Sequence, residues 1–413
     1  MRIESERSTT NDDSNVPGGR PRAIELFAGA GGLGIGVGQS GFQPVEVIEW
    51  NRWCCDTIRE NKARGVPAVA HWPDPIQGDV RDHDFRPHEG KIDLIAGGPP
   101  CQPFSLGGKH RAHLDPRDMW PQAVRALREV KPKAFIFENV KGLTRESFAT
   151  YLSYIVLQLQ HPELTSRGDE GWEGHLSRLE RHHLGGNAAG LGYRVVYRVL
   201  NAADYGVPQR RERVVFVGFR DDLDVEWSFP AETHSAAALW RDQARGAYWD
   251  RHEIATAARG AVRAAPNGVA SDLAPWRTVR DALSGLPDPE RQPSRSAKLF
   301  NHADQPGARA YPGHTGSPLD EPAKTLKAGV HGVPGGENML RRADGSVRYF
   351  TVRESARLQT FPDDYRLHGS WSEAMRQLGN AVPVELAAVV AREVARALGD
   401  GRAKEATDRG PLC

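Results

Sequence analysis

Short apolar runs of strand length recur along the first half of the chain, separated by polar turns and amphipathic stretches. They occupy residues 23–27, 45–48, 92–96, 134–137, 193–200 and 213–219. Between two of these runs, residues 120–130 repeat apolar positions with the period of an amphipathic helix. Apolar strands that alternate with helical segments predict an α/β fold around a buried sheet.

The pattern changes after residue 220. Residues 221–348 are rich in Pro, Gly, Ala and Arg and contain few strong apolar runs, which predicts a separate, smaller and less regular domain. Helical patterns return at Thr351, which forms a capping box with Glu354, and a long Ala/Val helix is predicted to end near Gly399. We therefore expect one domain built from residues 22–220 and 349–400, with a disordered tail at 1–21 and a loose tail at 401–413.

The composition, with 39% hydrophobic and 26% charged residues in 413, is typical of a globular protein. The four cysteines show no disulfide framework and no spacing typical of a zinc site, so we expect no metal. Residues 1–22 lack the apolar core of a secretory signal, and no membrane span is predicted. We expect a monomer in the cytoplasm. The net charge of +1 shows no overall nucleic-acid-binding field, and the local basic clusters are also explained as solvated surfaces.

Two candidate reactive groups lie at the ends of predicted strands. Two glycines and two prolines end the strand at residues 92–96 and form a stiff turn that presents the thiol of Cys101. A small buried hydrophobic residue is the alternative interpretation of this cysteine. Glu138 follows the strand at 134–137 and should reach the same edge of the sheet. A carboxylate there is costly unless it has a task or a partner, although capping a neighbouring turn would also explain it.

A glycine-rich turn at residues 28–34 follows the first strand, as in folds that bring backbone close to a ligand; tight helix packing would require the same glycines. Glu49 lies about 20 positions after it, where nucleotide-binding folds place a ribose-binding carboxylate, so an adenosine-like ligand is predicted. Asp79 could accept a hydrogen bond from an exocyclic amino group or cap a helix. Arg211 and Arg213, at alternate positions of an extended stretch, should point the same way and suit carbonyl or phosphate oxygens.

Taken in order, these segments resemble the DNA (cytosine-5) methyltransferases of bacterial restriction-modification systems. The motifs that carry the resemblance are F-A-G-A-G-G from Phe27, Glu49-Trp50, Gly78-Asp79, G-G-P-P-C-Q from Gly97, Glu138-Asn139-Val140, Q-x-R-x-R from Gln209, R-E-S-A-R-L-Q-T-F-P from Arg353 and G-N-A-V from Gly379. The resemblance covers roughly residues 22–220 and 350–398. It implies a Rossmann-like S-adenosylmethionine-dependent methyltransferase sheet, a smaller, irregular target-recognition domain, and double-stranded DNA as substrate.

The family's site residues can be carried over to the matching positions. Cys101 would attack C6 of a flipped-out cytosine. Glu138 would share a proton with N3 and neutralise the charge that develops there, and Arg211 or Arg213 would contact O2. The residues assigned to the S-adenosyl-L-methionine pocket are Phe27, Ala28, Gly29, Gly31, Gly32, Leu33, Glu49, Trp50, Asp79, Val80, Pro99, Trp120, Asn380 and Val382. Trp120 departs from the aliphatic residue of compact bacterial relatives. The residues assigned to DNA are Gln102, Ser105, Lys109, Arg111, Gln209 and Thr325. The last helix should fold back beside the glycine turn.

Three other classes of protein share some of these sequence features. A zinc base deaminase needs a second cysteine where Phe104 stands, so this class is excluded. A tRNA cytosine-5 methyltransferase shares the catalytic motifs, but the length of residues 221–348 favours DNA. A non-catalytic DNA-binding protein on the same scaffold is disfavoured by the intact Cys101, Glu138 and glycine turn. We expect sequence recognition in residues 221–348, with Thr325-Leu326 and residues 330–336 entering the major groove.

Overall fold

The structure is a computed structural model, and it describes residues 19–100, 118–168, 170–186, 190–260, 272–328 and 338–408. The strands are β1 (Arg22–Leu26), β2 (Gln43–Glu49), β3 (Ile76–Gln77), β4 (Leu94–Gly97), β5 (Ala134–Val140), β6 (Tyr193–Asn201), β7 (Glu212–Arg220), β8 (His234–Ser235), β9 (Ala274–Pro275), β10 (Ser317–Pro318), β11 (Met339–Arg341) and β12 (Val347–Tyr349). The helices are α1 (Gly32–Gln39), α2 (Arg52–Ala63), α3 (Trp120–Val130), α4 (Ala149–Gln160), α5 (Trp172–Leu184), α6 (Ala236–Arg245), α7 (Ala247–Arg251), α8 (Val279–Leu283), α9 (Pro293–Ser296), α10 (Val352–Leu358), α11 (Trp371–Asn380) and α12 (Val384–Asp408).

A seven-stranded sheet in the order β3-β2-β1-β4-β5-β7-β6 forms the centre of the protein. All its strands point the same way except β7, which is antiparallel to both β5 and β6. The carboxyl ends of β1, β4 and β5 therefore meet at one edge, where parallel α/β sheets place their ligands. The predicted α/β, Rossmann-like methyltransferase fold is confirmed.

Helices cover both faces of this sheet, which explains why its strands are nearly continuous apolar runs. On one face α3 and α4 enclose a core that includes Phe135 and Phe137. On the other face α1 packs against α12, and the hydroxyl of Ser40 donates a hydrogen bond to the carbonyl of Ala388, 348 positions later. The last helix thus lies beside the helix that follows the glycine turn, as expected.

The predicted C-terminal boundaries need correction. The capping box of Thr351 and Glu354 is present, but α10 ends at Leu358, before Pro362. The segment after it forms two helices, because Pro383 cannot donate the backbone hydrogen bond that would continue α11 into α12. Helix α12 also continues to Asp408, so residues 401–408 are not a loose tail. A single glycine costs a helix only about 1 kcal/mol, and the Ala, Lys, Glu and Arg residues that follow favour helix.

The described residues between 221 and 348 form only short helices and strands. Their first part, including Val225 and Phe229, packs against the core beside α1 and α12. Later residues share a small apolar cluster with α10. Leu326 from this region and Leu358 from α10 are both members of the cluster. The domain boundaries at 220/221 and 348/349 remain predictions, and apolar contacts join the residues on the two sides of each.

Candidate active site

Glu138 lies at the carboxyl end of β5, at the edge predicted to carry the reactive groups. Its carboxylate is nearly buried and forms an ion pair with Arg213 on the adjacent strand β7, with 2.6 Å between Oε1 and Nε. The antiparallel register places Val140 opposite Arg213, so the arginine side chain reaches back along the sheet to Glu138. A buried carboxylate is stabilised only by such a partner, which makes this pair the electrostatic centre of the site.

The surroundings of Glu138 favour a carboxyl group that keeps its proton. Burial raises the pKa of Glu138, and the guanidinium groups of Arg213 and Arg211 oppose this rise. The net direction is upward, so proton sharing with a bound group becomes possible at a higher pH than for an exposed glutamate. This is the property that a general acid needs near neutral pH.

The turn that leads to Cys101 lies against Glu138. A Cβ atom added to Gly98 would be 3.3 Å from Glu138 Oε2. The side-chain amide of Asn139 donates a hydrogen bond to the carbonyl of Pro99 at 2.9 Å. Neighbouring strand ends therefore hold Gly98 and Pro99, three and two positions before Cys101, against Glu138 and Asn139. Residues 101–117 lie outside the described part of the chain, so the assignments of Cys101, Gln102, Ser105, Lys109 and Arg111 remain predictions.

Arg211 does not occupy the position expected of a base-contacting side chain. It is fully buried, and its two Nη atoms donate to the carbonyl groups of Leu326, Gly379 and Ala381 at 3.0, 2.7 and 2.9 Å. These bonds hold both Nη atoms against backbone carbonyl groups inside the protein. Of the two arginines predicted to share that role, the structure leaves Arg213 as the candidate.

The first glycine turn forms a second group of candidate residues beside this centre. Phe27 adopts a left-handed backbone conformation with φ of 55°, which is strained for a residue with a large side chain. Residues with such strained conformations are often found at functional sites. The carboxylate of Glu49 accepts hydrogen bonds from the N–H groups of Gly29 at 2.8 Å and Asn51 at 2.7 Å. Burial raises the pKa of Glu49, and these N–H groups oppose the rise. The ends of β1 and β2 are thus joined through one carboxylate.

Several assigned cofactor residues border this turn. The Trp50 side chain is 73% exposed, so one face of the indole is free for stacking. Asp79 caps the turn at Val80–Asp82 and pairs with Arg81, so its capping role is real; the Val80 side chain is buried in the core. Asn380 is exposed at the end of α11.

The remaining cofactor assignments lie in tighter surroundings. The side chains of Ala28 and Leu33 are buried in apolar clusters, and Gly31 and Gly32 are buried at the start of α1. Pro99 is buried at the end of the turn after β4, and Val382 is 8% exposed at the start of the connection to α12.

The side chain of Trp120, which the resemblance assigns to the cofactor pocket, lies in the core of the protein, and its cofactor role remains a prediction. Its side chain is fully buried in the core, with its ring edge-on to Phe137 and Phe216 at centroid distances of 6.0 and 5.1 Å. The helix pattern that correctly predicted α3 also dictates this outcome, because Trp120 lies on the apolar face that packs on the sheet. The indole belongs to a buried cluster against which Phe27 of the glycine turn also packs.

Gln209 and Thr325, which the resemblance assigns to DNA, form hydrogen bonds inside the protein, and their DNA roles remain predictions. Gln209 is fully buried; its side chain accepts a hydrogen bond from Leu326 N at 3.0 Å and donates to Leu358 O and to Gln359 Oε1. The half-buried Thr325 donates its hydroxyl to the carbonyl of Arg210 at 2.7 Å, and Leu326 is buried. This segment therefore packs against the Q-x-R-x-R motif and does not present a free edge to a groove. Residues 329–337, which include the other proposed groove element, lie outside the described residues.

Two buried residues below the glycine turn belong to none of the sequence motifs. Glu25, in the middle of β1, is buried and accepts a hydrogen bond from Gly34 N at 2.8 Å. Tyr365 is buried too, and its hydroxyl donates to the carbonyl of Ala30 at 2.8 Å. An acidic residue inside an otherwise apolar strand was the available signal for Glu25. No local pattern marks Tyr365, which reaches the turn from 335 positions away.

The donor set at the turn fits S-adenosylmethionine. Each oxygen of Glu49 accepts one hydrogen bond and keeps a lone pair for a ribose hydroxyl, and Asp79 offers a further acceptor. The exposed Trp50 provides an aromatic face for adenine. These groups are neighbours at one edge of the sheet because β2 and β3 are paired in parallel through Glu49 and Gln77.

Fold and site together define an α/β enzyme with a nucleotide-type binding turn beside a buried acid. The family model for C-5 cytosine-specific DNA methylases matches residues 22–162 and 186–396, and the chain belongs to this family. It is a DNA cytosine-5 methyltransferase. The unmatched residues 163–185 include helix α5.

Curated relatives and solved structures agree with this assignment. The chain is 30% identical over 407 residues to the type II methyltransferase M.PspPI of a Psychrobacter species, covering 91% of this chain and 79% of that protein. It is 30% identical over 380 residues to M.NgoMIV of Neisseria gonorrhoeae, covering 91% and 97%. The fold is similar to that of an Escherichia coli prophage methyltransferase described as putative, with a TM-score of 0.54, 20% identity and coverage of 92% and 99%. It is also similar to that of S. pombe Dnmt2, with a TM-score of 0.54, 19% identity and the same coverage.

The described residues contain no helix long and apolar enough to cross a membrane. They also contain no group of three or more His, Cys, Asp or Glu side chains arranged to hold a metal ion.

Proposed function

We propose that this enzyme methylates C5 of cytosine in a specific double-stranded DNA sequence through a covalent bond between Cys101 and C6 of a flipped-out base. The observation that carries the proposal is the buried ion pair of Glu138 and Arg213, which lies against the turn leading to Cys101. A flipped base is required because the reacting atoms are inaccessible within a duplex.

The thiolate of Cys101 forms a bond to C6, and the electrons of the C5–C6 double bond move into the ring. Glu138 shares its proton with N3 and so neutralises the charge that develops there, while Arg213 interacts with O2. C5 then accepts a methyl group. Loss of the C5 proton and breakage of the bond between sulfur and C6 restore the aromatic ring and the thiolate.

S-adenosylmethionine, bound at the glycine turn, supplies the methyl group. Glu49 would hold the ribose and Trp50 the adenine ring, with Asp79 as an acceptor for the exocyclic amino group. The exposed Asn380 would complete the pocket from the C-terminal part of the chain. Helix α1 begins at this turn, and its free N–H groups favour polar ligand atoms at the same edge.

Covalent trapping tests the proposed reaction directly. Genomic DNA amplified with 5-fluoro-deoxycytidine triphosphate lacks the C5 proton that must leave, so wild-type enzyme and S-adenosylmethionine should give a complex with DNA that survives denaturing electrophoresis. Cys101→Ala should form no such complex, and its rate of methyl transfer should fall more than about 10³-fold. Cys413→Ala should form the complex and transfer methyl groups as the wild type does. Trapping by Cys101→Ala would contradict the assignment. A preference for tRNA over duplex DNA would support the rival substrate.

Residues 221–348 are proposed to supply sequence recognition, because the catalytic motifs are generic and this segment contains none of the reactive groups. Exchange of the segment with that of a type II relative of known target should transfer the methylated sequence. Sequencing that detects 5-methylcytosine would measure the outcome. A folded, active chimera that still methylates the parental sites would assign recognition to the main domain.

We further propose that the enzyme acts as a cytoplasmic monomer that protects DNA from a cognate restriction endonuclease. The type II methyltransferases among its relatives support this role. DNA from cells expressing the enzyme should resist an endonuclease that cuts the mapped sequence, while DNA from cells with Cys101→Ala should be cut. Gel filtration with light scattering should give a single species near 45.5 kDa.

A further inference from the structure

The side chain of Arg211 joins three carbonyl groups from two distant parts of the chain. Its Nη2 donates to both Gly379 O and Ala381 O, at 2.7 and 2.9 Å. These are the carbonyl groups of the residues on either side of Asn380. One buried guanidinium therefore fixes the backbone flanking a residue that the cofactor assignment depends on.

The other Nη atom of Arg211 binds the segment at residues 323–328. It donates to Leu326 O at 3.0 Å, and Gln209 Oε1 accepts from Leu326 N at 3.0 Å, so two side chains of the Q-x-R-x-R motif hold both polar groups of one residue. The backbone of Arg210 also bonds Ala323 O, and the hydroxyl of Thr325 binds Arg210 O. This segment belongs to the region proposed to recognise DNA.

The segment is also in direct contact with residues 378–381, which form the end of α11 and the start of the loop after it and include Asn380. This stretch is called the loop below. A Cβ atom added to Gly379 would lie 2.5 Å from Ala328 N and 2.6 Å from the carbonyl carbon of Lys327, so no side chain fits between them. Gln359 reinforces the loop, since its amide donates to Leu378 O and Ala381 O. The loop therefore has little freedom to move independently of residues 326–328.

We propose that Arg211 is a positioning residue for cofactor binding, which holds the backbone on both sides of Asn380 and couples it to residues 325–328 of the recognition region. This inference rests on the proposed cofactor site. A planar guanidinium makes the three bonds with fixed geometry, whereas a lysine ammonium at this depth cannot satisfy all three carbonyl groups in the same arrangement. Unsatisfied buried carbonyl groups would make the loop shift towards other donors.

A double-mutant cycle on the full-length protein tests this coupling without DNA. The dissociation constant of S-adenosylhomocysteine is measured by calorimetry for wild type, Arg211→Lys, Asn380→Ala and the double variant. Arg211→Lys should weaken binding about tenfold, as expected for lost buried hydrogen bonds. In the Asn380→Ala background the same change should cost less than about twofold. Arg210→Lys is the matched control, since Arg210 is partly exposed and pairs with Glu321 at 3.3 Å, and it should bind as wild type does.

A second variant approaches the loop from the recognition side. Thr325→Val is isosteric and removes only the bond to Arg210 O. It should weaken S-adenosylhomocysteine binding about threefold in the absence of DNA, and this effect should also shrink in the Asn380→Ala background. If Arg211→Lys fails to fold, as judged by circular dichroism, the Thr325→Val cycle decides by the same criterion.

Two results would overturn the inference. One is unchanged cofactor affinity in folded Arg211→Lys, and the other is full additivity with Asn380→Ala, which would mean that Arg211 acts elsewhere. A lower melting temperature with unchanged affinity would leave Arg211 a purely structural residue. Failure of the wild type to bind S-adenosylhomocysteine would instead refute the cofactor assignment, and this inference with it.

Discussion

The buried carboxyl group of Glu25 should make the stability of the protein fall as pH rises. Burial raises the pKa of Glu25 to about 8, and the nearby Glu49 adds to the rise, while the hydrogen bond from Gly34 N opposes it. The reference pKa of such a group is 4.5. Between these values the folded protein keeps a proton that the unfolded chain releases. The stabilising contribution is therefore complete below about pH 4.5 and is lost as pH rises through about 8.

The size of this effect follows from the shift. Each pH unit within the window costs at most about 1.4 kcal/mol of the free energy of unfolding, so the whole window is worth on the order of 4 kcal/mol. Glu25→Gln removes the titration and keeps the shape. Its carbonyl oxygen can still accept from Gly34 N, and its amide group replaces Oε2, which has no hydrogen-bond partner among the described residues. The free energy of unfolding of the variant should therefore increase steadily relative to that of the wild type as the pH rises.

Urea denaturation followed by tryptophan fluorescence, at several pH values from 5 to 8.5, measures the difference. Subtraction of the variant's curve from that of the wild type cancels every other titrating group. Asp84→Asn is the control, because hydrogen bonds from Arg86 lower the pKa of Asp84 to about 2, outside this range, and its profile should parallel that of the wild type. Parallel profiles for wild type and Glu25→Gln would refute the reasoning.

Three further changes have definite expected outcomes. Gly34→Ala should lower the free energy of unfolding by about 2 to 4 kcal/mol in urea titrations, because its Cβ would lie 1.7 Å from Glu25 Oε2. Glu138→Gln should reduce kcat by roughly 10² with DNA affinity unchanged, and steady-state kinetics should show that it abolishes the fall in wild-type kcat expected as pH rises through the raised pKa of Glu138. Arg348→Met should cost about 3 to 5 kcal/mol in the same urea assay, because it leaves the buried carboxylate of Glu354 without its charged partner at 2.6 Å.

Matched controls separate these effects from general disturbance. Gly38→Ala lies in the same helix, with no atom nearer than 4.0 Å to the new Cβ, and should change stability by less than about 1 kcal/mol. Arg396→Met removes an exposed ion pair with Glu393 and should cost less than about 1 kcal/mol. Unchanged kcat in Glu138→Gln would return Glu138 to a capping role. Equal losses for Arg348→Met and Arg396→Met would show that burial of the first pair has no energetic consequence.

The sequence predicted the elements well because their signals are local. The bounds of α3 were predicted without error, and the strands of the large sheet differ from expectation by one or two residues in most cases. The ends of β4 and β5 could be placed together because parallel neighbours share an edge. Glu138 and the turn before Cys101 are therefore close in the structure for the reason that made them candidates.

The side chains whose burial the sequence did not predict depend on contacts between distant segments. Gln209 and Arg211 lie in an arginine-rich turn that looks like a surface motif. They are buried because residues 323–328 and 378–381 pack against them from more than 100 positions away. The burial of Trp120 follows from the apolar face of its own helix, which the family correspondence does not take into account. Glu25 was missed because no motif contains it, although its burial is visible from the strand pattern.

The contact between α1 and α12 has a consequence for the order in which the protein forms on the ribosome. Ser40 meets Ala388 across almost the whole chain, and Val382 and Leu386 share a core with Leu33 and Val37. The strands of the large sheet have all been synthesised when Arg220 emerges, yet α12, which covers one face together with α1, is made only with the last 30 or so residues. Every nascent chain must therefore hold a partly exposed apolar face throughout the synthesis of residues 221–383. Methylating activity should appear only after release of the complete chain.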